Sequence, residues 1–405
     1  MGEGEMYSVH PVVRKAVDPI HAKVRRGWVG VHGTLYSTNT VAAIHPGGKV
    51  WIEMVDGTDA TELFETSHMN AKKATETLDA LPKEGFYEME KRRRPLDFEL
   101  YHTFRERALD LFPTRESRRK GYPRLLYVWV ATCFFSHWLL FTKGGTLLVT
   151  LFLCFLCAFT NTVLGGYGHS YMHQLRPASL FLDWNGLSTL EWLQEHVSSH
   201  HPFVNTPYDH DSISMLPFVD WLRENRRRGG WNFLAFPIFA IGEVAVTIQG
   251  YFGHRSRWKA APRSSPVWMR YSPFVFLVRV MLHLSFLGVW KGSATLLFSL
   301  CVASFHFSYL AHLNHATGFE GERSGCFATH QLENTRDILL PPFLERWFGG
   351  SAILFLDRQE MHHLFPILDQ EFIDHTFKKR VMNDVWRGGE SIPSLHSTLT
   401  RRLFS

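Results

Sequence analysis

The chain is 405 residues long, with 43 Lys and Arg against 38 Asp and Glu, for a formal net charge of +5 and a pI near 8.9. That length gives room for two or three domains with cores of their own, while a modest charge gathered in short basic runs at 91–94, 115–120 and 223–228 gives nucleic-acid binding no support. The five cysteines make no disulfide framework: Cys133, Cys154, Cys157 and Cys301 lie in apolar runs as small hydrophobes, and the Cys154/Cys157 spacing has no second pair to complete a zinc site.

Residues 1–90 are mixed in composition and start with Glu3 and Glu5 rather than an apolar core. No secretory signal is expected there, and the chain is expected to begin in the cytosol. The stretch from Lys91 to Gly121 is charged and punctuated by Pro95, Pro113 and Pro123 nearby, which reads as a linker or surface helix. Two nearly uncharged apolar runs follow, 125–141 and 146–164, separated by Lys143-Gly144-Gly145. Each is about long enough to cross a bilayer, so together they predict a helical hairpin. Residues 165–228 are polar and rich in His. Three more apolar stretches, 231–252, 273–290 and 292–312, precede a second polar, His-bearing region that begins near His312.

Parity selects a topology. If the two His-bearing regions build one site, they face the same side, and only two of the three later stretches span. Glu243 and Gln249 make 231–252 the costly one at a bilayer centre, so it is assigned as an interfacial or re-entrant helix. The expected spans are then 125–141, 146–164, 273–290 and 292–312. Five spans would divide the His-bearing regions between opposite faces.

The soluble N-terminal part carries WVGVHGTLYSTNTVAAIHPGG from Trp28 to Gly48, then DATELFETSHMN from Asp59, with His68 23 residues after His45. This combination resembles cytochrome b5 over roughly 25–95. The resemblance implies an α+β domain in which His45 and His68 clamp a haem b from opposite faces. Gly47 and Gly48 then allow the tight turn near the porphyrin edge, Ile44, Leu63 and Phe64 are candidates for the pocket wall, whose burial tunes the potential, and Trp28 and Tyr36 are core residues.

Histidine is over-represented, with 23 copies beside 33 Phe and 13 Trp. Three groups stand out in the polar regions: His169 and His173 in GHSYMH; His196, His200 and His201 in EHVSSHHP; and Gln359, His362 and His363 in RQEMHHLFP. Residues four apart on an α-helix share a face, so His169 with His173, and His196 with His200, are each expected to serve one ion. His201 and His363, rotated about 100 degrees from their neighbours, are expected to reach a second ion. That geometry suits two metals. Imidazole without thiolate suits iron, copper or zinc; the fused electron donor favours a redox metal.

HxxxH, HxxxHH and QxxHH, in this order around two pairs of spans, are similar to the three histidine boxes of membrane fatty acid desaturases, over roughly 125–375. Gln in the third box, together with the N-terminal haem domain, resembles the front-end subgroup, as do HHPFVNTPYDHD, NHATGF, THQLENTRDI and HHLFP. Members of that family usually carry Pro where this chain has His210, and 351–357 is longer than usual; both departures bear on regiospecificity more than on class. The family uses more imidazoles than the boxes supply, so His315 and His330 are candidates for further ligands or for donors behind the ligands, ahead of His306 and His312. His102, His137, His254 and His283 have no partner at useful spacing and are read as structural or interfacial.

The expected architecture is therefore a cytochrome b5-like haem domain (1–95), a linker or interfacial helix (96–123), an all-α membrane desaturase domain with about four transmembrane helices and a cytosolic His-rich cap (124–385), and a tail (386–405). The resemblance implies a front-end acyl desaturase of the endoplasmic reticulum membrane, with haem domain and boxes cytosolic. It uses O2 and two non-haem Fe, with electrons passed one at a time from NAD(P)H through a cytochrome b5 reductase and the haem. An unactivated C–H bond is beyond any side-chain acid or base, and fusion raises the donor's effective concentration. The substrate is a fatty acyl chain on coenzyme A or phospholipid. Neighbouring readings are a sphingolipid long-chain-base desaturase or an acyl hydroxylase and, from another class, a non-enzymatic membrane haem carrier.

Overall fold

A computed structural model describes residues 24–87, 97–114, 117–118, 121–206, 209, 211, 240–241, 244, 264–315, 325–338 and 342–382. The expected interfacial helix at 231–252 lies, but for residues 240, 241 and 244, outside them. So do His210, His254, the side chain of His312 and the expected tail.

The N-terminal domain opens with strands β1 (Trp28–Val31) and β2 (Thr34–Ser37), which pair antiparallel with Val31 opposite Thr34; β2 also pairs with β3 (Gly85–Phe86). The two-residue His32-Gly33 loop has φ +48 and +77, the twist that suits a tight hairpin. Val29, Val31 and Tyr36 turn inward onto Val41, Val55 and Ala60. Helix α1 (Thr38–Ile44) starts on Ser37, whose side chain accepts from the Thr40 amide, and stops at His45. Gly48, at φ +101, turns the chain into α2 (Lys49–Met54), and a Cβ on Gly47 would come within 2.8 Å of His45 Cε1. That pair of glycines therefore holds the loop tight under the imidazole. Helices α3 (Thr61–Ser67) and α4 (Ala71–Asp79) complete the domain, with Asn70 capping the latter.

Helix α5 (Glu99–Leu111) corrects the reading of this stretch as a linker or surface helix. Tyr101, Phe104 and Ala108 are fully buried and share one face at helical spacing. They form a core with Phe327, Met361, Phe365, Phe377 and Val381 from the C-terminal region and with Met69 of the haem domain. The high charge of the surrounding segment hides this apolar stripe.

The membrane part consists of two hairpins. Helices α6 (Arg124–Lys143) and α7 (Leu147–Met172) are joined by a short turn, and α8 (Pro273–Leu287) meets α9 (Val289–His315) at Gly288. Three of these have the length and hydropathy of a span: Arg124–Lys143, Leu147–Met172 and Val289–Ala311. Helix α8 is apolar but has 15 residues, about 22 Å against the roughly 30 Å of a hydrocarbon core, so it ends sooner than the expected 273–290. The closed ends of the hairpins meet where Lys291 Nζ donates to the Gly144 carbonyl. The open ends carry the histidines. Leu148, Phe134, Phe152 and Trp290 are more than half exposed on these helices, as lipid-facing side chains must be. This accounts for much of the aromatic excess.

Between the hairpins' open ends, a helix from Thr189 to Trp192 runs into a π-helix, Leu193–His200, and then His201–Phe203. The cap is finished by α10 (Phe327–Asn334), α11 (Gln359–Leu364) and α12 (His375–Met382).

Candidate metal centres

In the haem domain, the HPGG loop and the end of α3 bring His45 and His68 together, ring centroids 5.8 Å apart and planes nearly perpendicular at 85°. Each Nδ1 is committed to a backbone carbonyl, His45 to Gly48 at 3.1 Å and His68 to Phe64 at 2.8 Å. That leaves both Nε2 atoms as ligands, oriented in the way a metal-binding His is usually fixed. Burial lowers the pKa of both rings, keeping their lone pairs available. Phe64 lies 4.8 Å from His68, while Ile44 is half exposed. The pair fits a haem iron between two imidazoles.

The second site lies at the open ends of the hairpins. Helix α7 presents His169 and His173 one turn apart, and this helix is packed so closely that a Cβ on Gly166 would come within 2.9 Å of Leu354 Cα. The side chains form three overlapping metal-holding sets: His169, His173, His196, His201 and His362; His200, His315 and His363; and His196 with His200 and Asp211. Within the first, His169 Nε2 stands 2.8 Å from His196 Nε2 and 3.1 Å from His362 Nε2, and His201 Nε2 stands 3.1 Å from His196 Nε2. Neutral rings gain nothing by turning lone pairs on one another. Adjacent ligands on one ion with bonds of about 2.1 Å stand close to this far apart.

His196 and His200 stay within reach of one ion, as their spacing leads one to expect, with Asp211 beside them, but His196 also lines up with His201 and His200 with His315 and His363. In the π-helix the turn is wider than in an α-helix, so residues five apart come into line. His196 therefore joins His201, and His200 turns to His363 and His315, with ring centroids 4.9 and 4.6 Å away. For the third box the α-helical phase holds: His362 goes to one group and His363 to the other.

Outer partners orient these rings. His196 Nδ1 donates to Asp211 Oδ2 at 2.8 Å, His200 Nδ1 to Asp209 Oδ1 at 2.9 Å and His363 Nδ1 to Gln331 Oε1 at 3.0 Å, while His362 Nδ1 meets the Gln370 amide at 2.8 Å. For His196, His200 and His363 the tautomer follows: the proton sits on Nδ1 and Nε2 is left toward the metal. Buried Nε2 atoms of His173, His200 and His363 have no protein partner, which is costly unless an ion takes them. Burial and neighbouring rings hold His196, His201, His362 and His363 well below the ordinary imidazole pKa. For His200 burial pulls the same way, but Asp209 outweighs it and raises the ring. The donor set, all imidazole with nearby amide, fits two first-row ions such as iron.

Gln359 is buried, and its amide lies 2.9 Å from His315 Nε2. It thus stands at the second group. His330 does not: its Nε2 faces the Val204 carbonyl at 3.0 Å and Nδ1 faces Asn334, so its role as a ligand is replaced by one of tying α10 to the second box. His306 stacks on Phe159 away from both groups. His102 is no bystander; it joins Arg105 and His32 on Glu65, between α5 and the haem domain. Sequence reasoning also missed Asp209, Asp211, Gln331 and Gln370. Only the two aspartates had a signal, standing within the YDHD phrase.

Residues 145–372 match the family profile described as fatty acid desaturase, and residues 19–91 the one described as cytochrome b5-like heme/steroid binding domain. The chain belongs to the fatty acid desaturase family. This desaturase is 22% identical to the cytochrome b5-related protein of Drosophila melanogaster, over 84% of this chain and 78% of that one. It is 22% identical to Delta(5) fatty acid desaturase A of Dictyostelium discoideum (85% and 82%) and 24% to acyl-lipid (8-3)-desaturase of Physcomitrium patens (84% and 78%). No solved structure matches it. The desaturase is thus an oxidoreductase acting on acyl chains, with a fused cytochrome b5-like domain and membrane helices.

Proposed function

We propose that this desaturase is a front-end enzyme, inserting a double bond between an existing one and the carboxyl end of an acyl chain carried by coenzyme A or phospholipid. The observation that carries the reading is the pair of imidazole groups, eight His in all, whose rings are aimed by Asp209, Asp211, Gln331 and Gln370. Gln359 in the third box and the names of the Dictyostelium and Physcomitrium relatives support the front-end class.

Two iron ions, when bound by these groups, would supply the oxidising power for C–H cleavage with O2, which no side chain can. His169, His173, His196, His201 and His362 would hold one, and His200, His315 and His363, with Gln359, the other. His45 and His68 would hold haem b, reloaded from NAD(P)H by a cytochrome b5 reductase. The chain's own work is orientation: carboxylates and amides behind the rings fix the tautomer, and buried packing around Phe307, Trp192 and Leu310 excludes bulk water. An endoplasmic reticulum membrane with haem domain and boxes on the cytosolic face suits a reductase-fed enzyme.

Expression in yeast with a panel of unsaturated fatty acids, followed by chromatography of methyl esters, tests the reading. A new double bond on the carboxyl side of an existing one is expected. Products heavier by one oxygen would indicate a hydroxylase, altered long-chain bases a sphingolipid desaturase, and haem iron with no non-haem iron an electron carrier.

A further inference from the structure

Below the histidine groups, three membrane helices bring together polar side chains that the proposed reaction does not use. Arg279 on α8 is fully buried, as is His283 one turn on, and His137 on α6 is 6% exposed. His137 and His283, which lack any useful spacing in sequence, have ring centroids 5.9 Å apart. Among the described residues no carboxylate pairs with Arg279: Nη1 donates to the Trp184 carbonyl at 3.0 Å, and Nε and Nη2 have no partner. A charge inside the hydrocarbon region marks a functional site more often than not.

The free atoms specify a chemistry. Nε and Nη2 form the planar edge of a guanidinium that takes the two oxygens of a carboxyl group. His137 donates Nδ1 to the Cys133 carbonyl at 2.8 Å, and His283 Nδ1 faces Thr295 Oγ1 at 3.1 Å, whose own hydroxyl is directed to the Lys291 and Gly292 carbonyls. Each neutral ring is thereby left with Nε2 as a buried acceptor without a partner. A group that accepts from the guanidinium and shares one proton with an imidazole satisfies Arg279 and one of the two rings. An ester accepts but cannot donate; a chloride ion cannot donate either. The surroundings are apolar, with Phe141 5.3 Å from His283 and stacked on Phe286, which is 61% exposed toward lipid. We infer that Arg279, with His137 and His283, forms a second lipid site that takes the unesterified carboxyl of a long-chain fatty acid from within the bilayer. It goes beyond the desaturation reading and is measured without turnover.

The experiment uses the purified full chain, loaded with haem and iron, in nanodiscs, with a C18 fatty acid carrying 13C at the carboxyl carbon. Isotope-edited infrared spectroscopy of the unmutated protein is expected to show a carboxyl band shifted from that of the acid in empty nanodiscs. Excess unlabelled acid removes it, whereas its methyl ester or chloride does not. Arg279→Gln is expected to weaken displacement by about 10- to 100-fold, with Arg279→Lys recovering part, at unchanged haem and non-haem iron content. Absence of a shifted band, its removal by methyl ester, or its removal by chloride (a small-anion site) each overturns the inference. So does an Arg279→Gln protein that binds as before.

Discussion

Glu65 fastens the haem domain to the rest of the chain, and its removal can be followed quantitatively. Its carboxylate accepts from His32 Nε2, His102 Nε2 and Arg105 Nη1, all at 2.9 Å, and its own carbonyl accepts from Arg105 at 3.0 Å. His32 and His102 are nearly half exposed, so each contributes about 0.3–1 kcal/mol. Arg105 and Glu65 are 7% and 8% exposed, and breaking such a buried pair costs about 3 kcal/mol or more. Glu65→Gln is therefore expected to cost about 3 kcal/mol. In urea unfolding followed by the Soret band of the intact chain, that lowers the midpoint by roughly 1–2 M at an ordinary slope. Arg105→Met should cost a comparable amount, and the double variant little more than either. Burial would raise the Glu65 pKa, yet the three donors bring it from 4.5 to about 2. An unfolded carboxyl takes up its proton first, so the contribution is complete above about pH 4.5 and fades as pH falls toward 2. Additivity of the two substitutions within about 0.5 kcal/mol would refute the reasoning.

His68→Ala is expected to abolish both the reduced-haem bands and desaturation, and a normal six-coordinate spectrum in that variant would remove the haem assignment. Gln359→Ala should lower turnover by about 10- to 100-fold with an unchanged haem spectrum, and Gln359→His should be impaired rather than improved; parental turnover with full iron would detach Gln359 from the site. His363→Ala should eliminate turnover and non-haem iron together, checked by metal analysis of the purified protein. Cysteines placed near Asp211 and near Asp369 should be labelled from the same side of the membrane, since opposite sidedness is incompatible with one centre.

What could be read from the sequence divides along a physical line. The HPGG loop with His68, and the HxxxH pair of His169 and His173, are local arrangements in which spacing along the chain dictates geometry. The hairpin spans follow from length and hydropathy alone, and the structure returns three of them as full spans beside the shorter Pro273–Leu287. The alignment of His196 with His201 is out of reach of the sequence because it depends on one turn being π rather than α, and nothing in LQEHVSSH distinguishes the two by propensity. The choice between His315 and His330 was equally hidden. Both stand in polar segments next to apolar ones, and only packing against Val204 turns the second away from the metals. Helix α5 shows the opposite failure, since Tyr101, Phe104 and Ala108 do have helical periodicity, but flanking charge masked it. The Arg279 cluster is the furthest from legibility, because Arg279 and His283 on one helix meet His137 only through the packing of another. A polar residue in such a cluster becomes informative only when the fold reveals how many of its hydrogen-bonding atoms the protein leaves unanswered. Here those atoms, two donors on a guanidinium and two imidazole acceptors, select the kind of group that can enter.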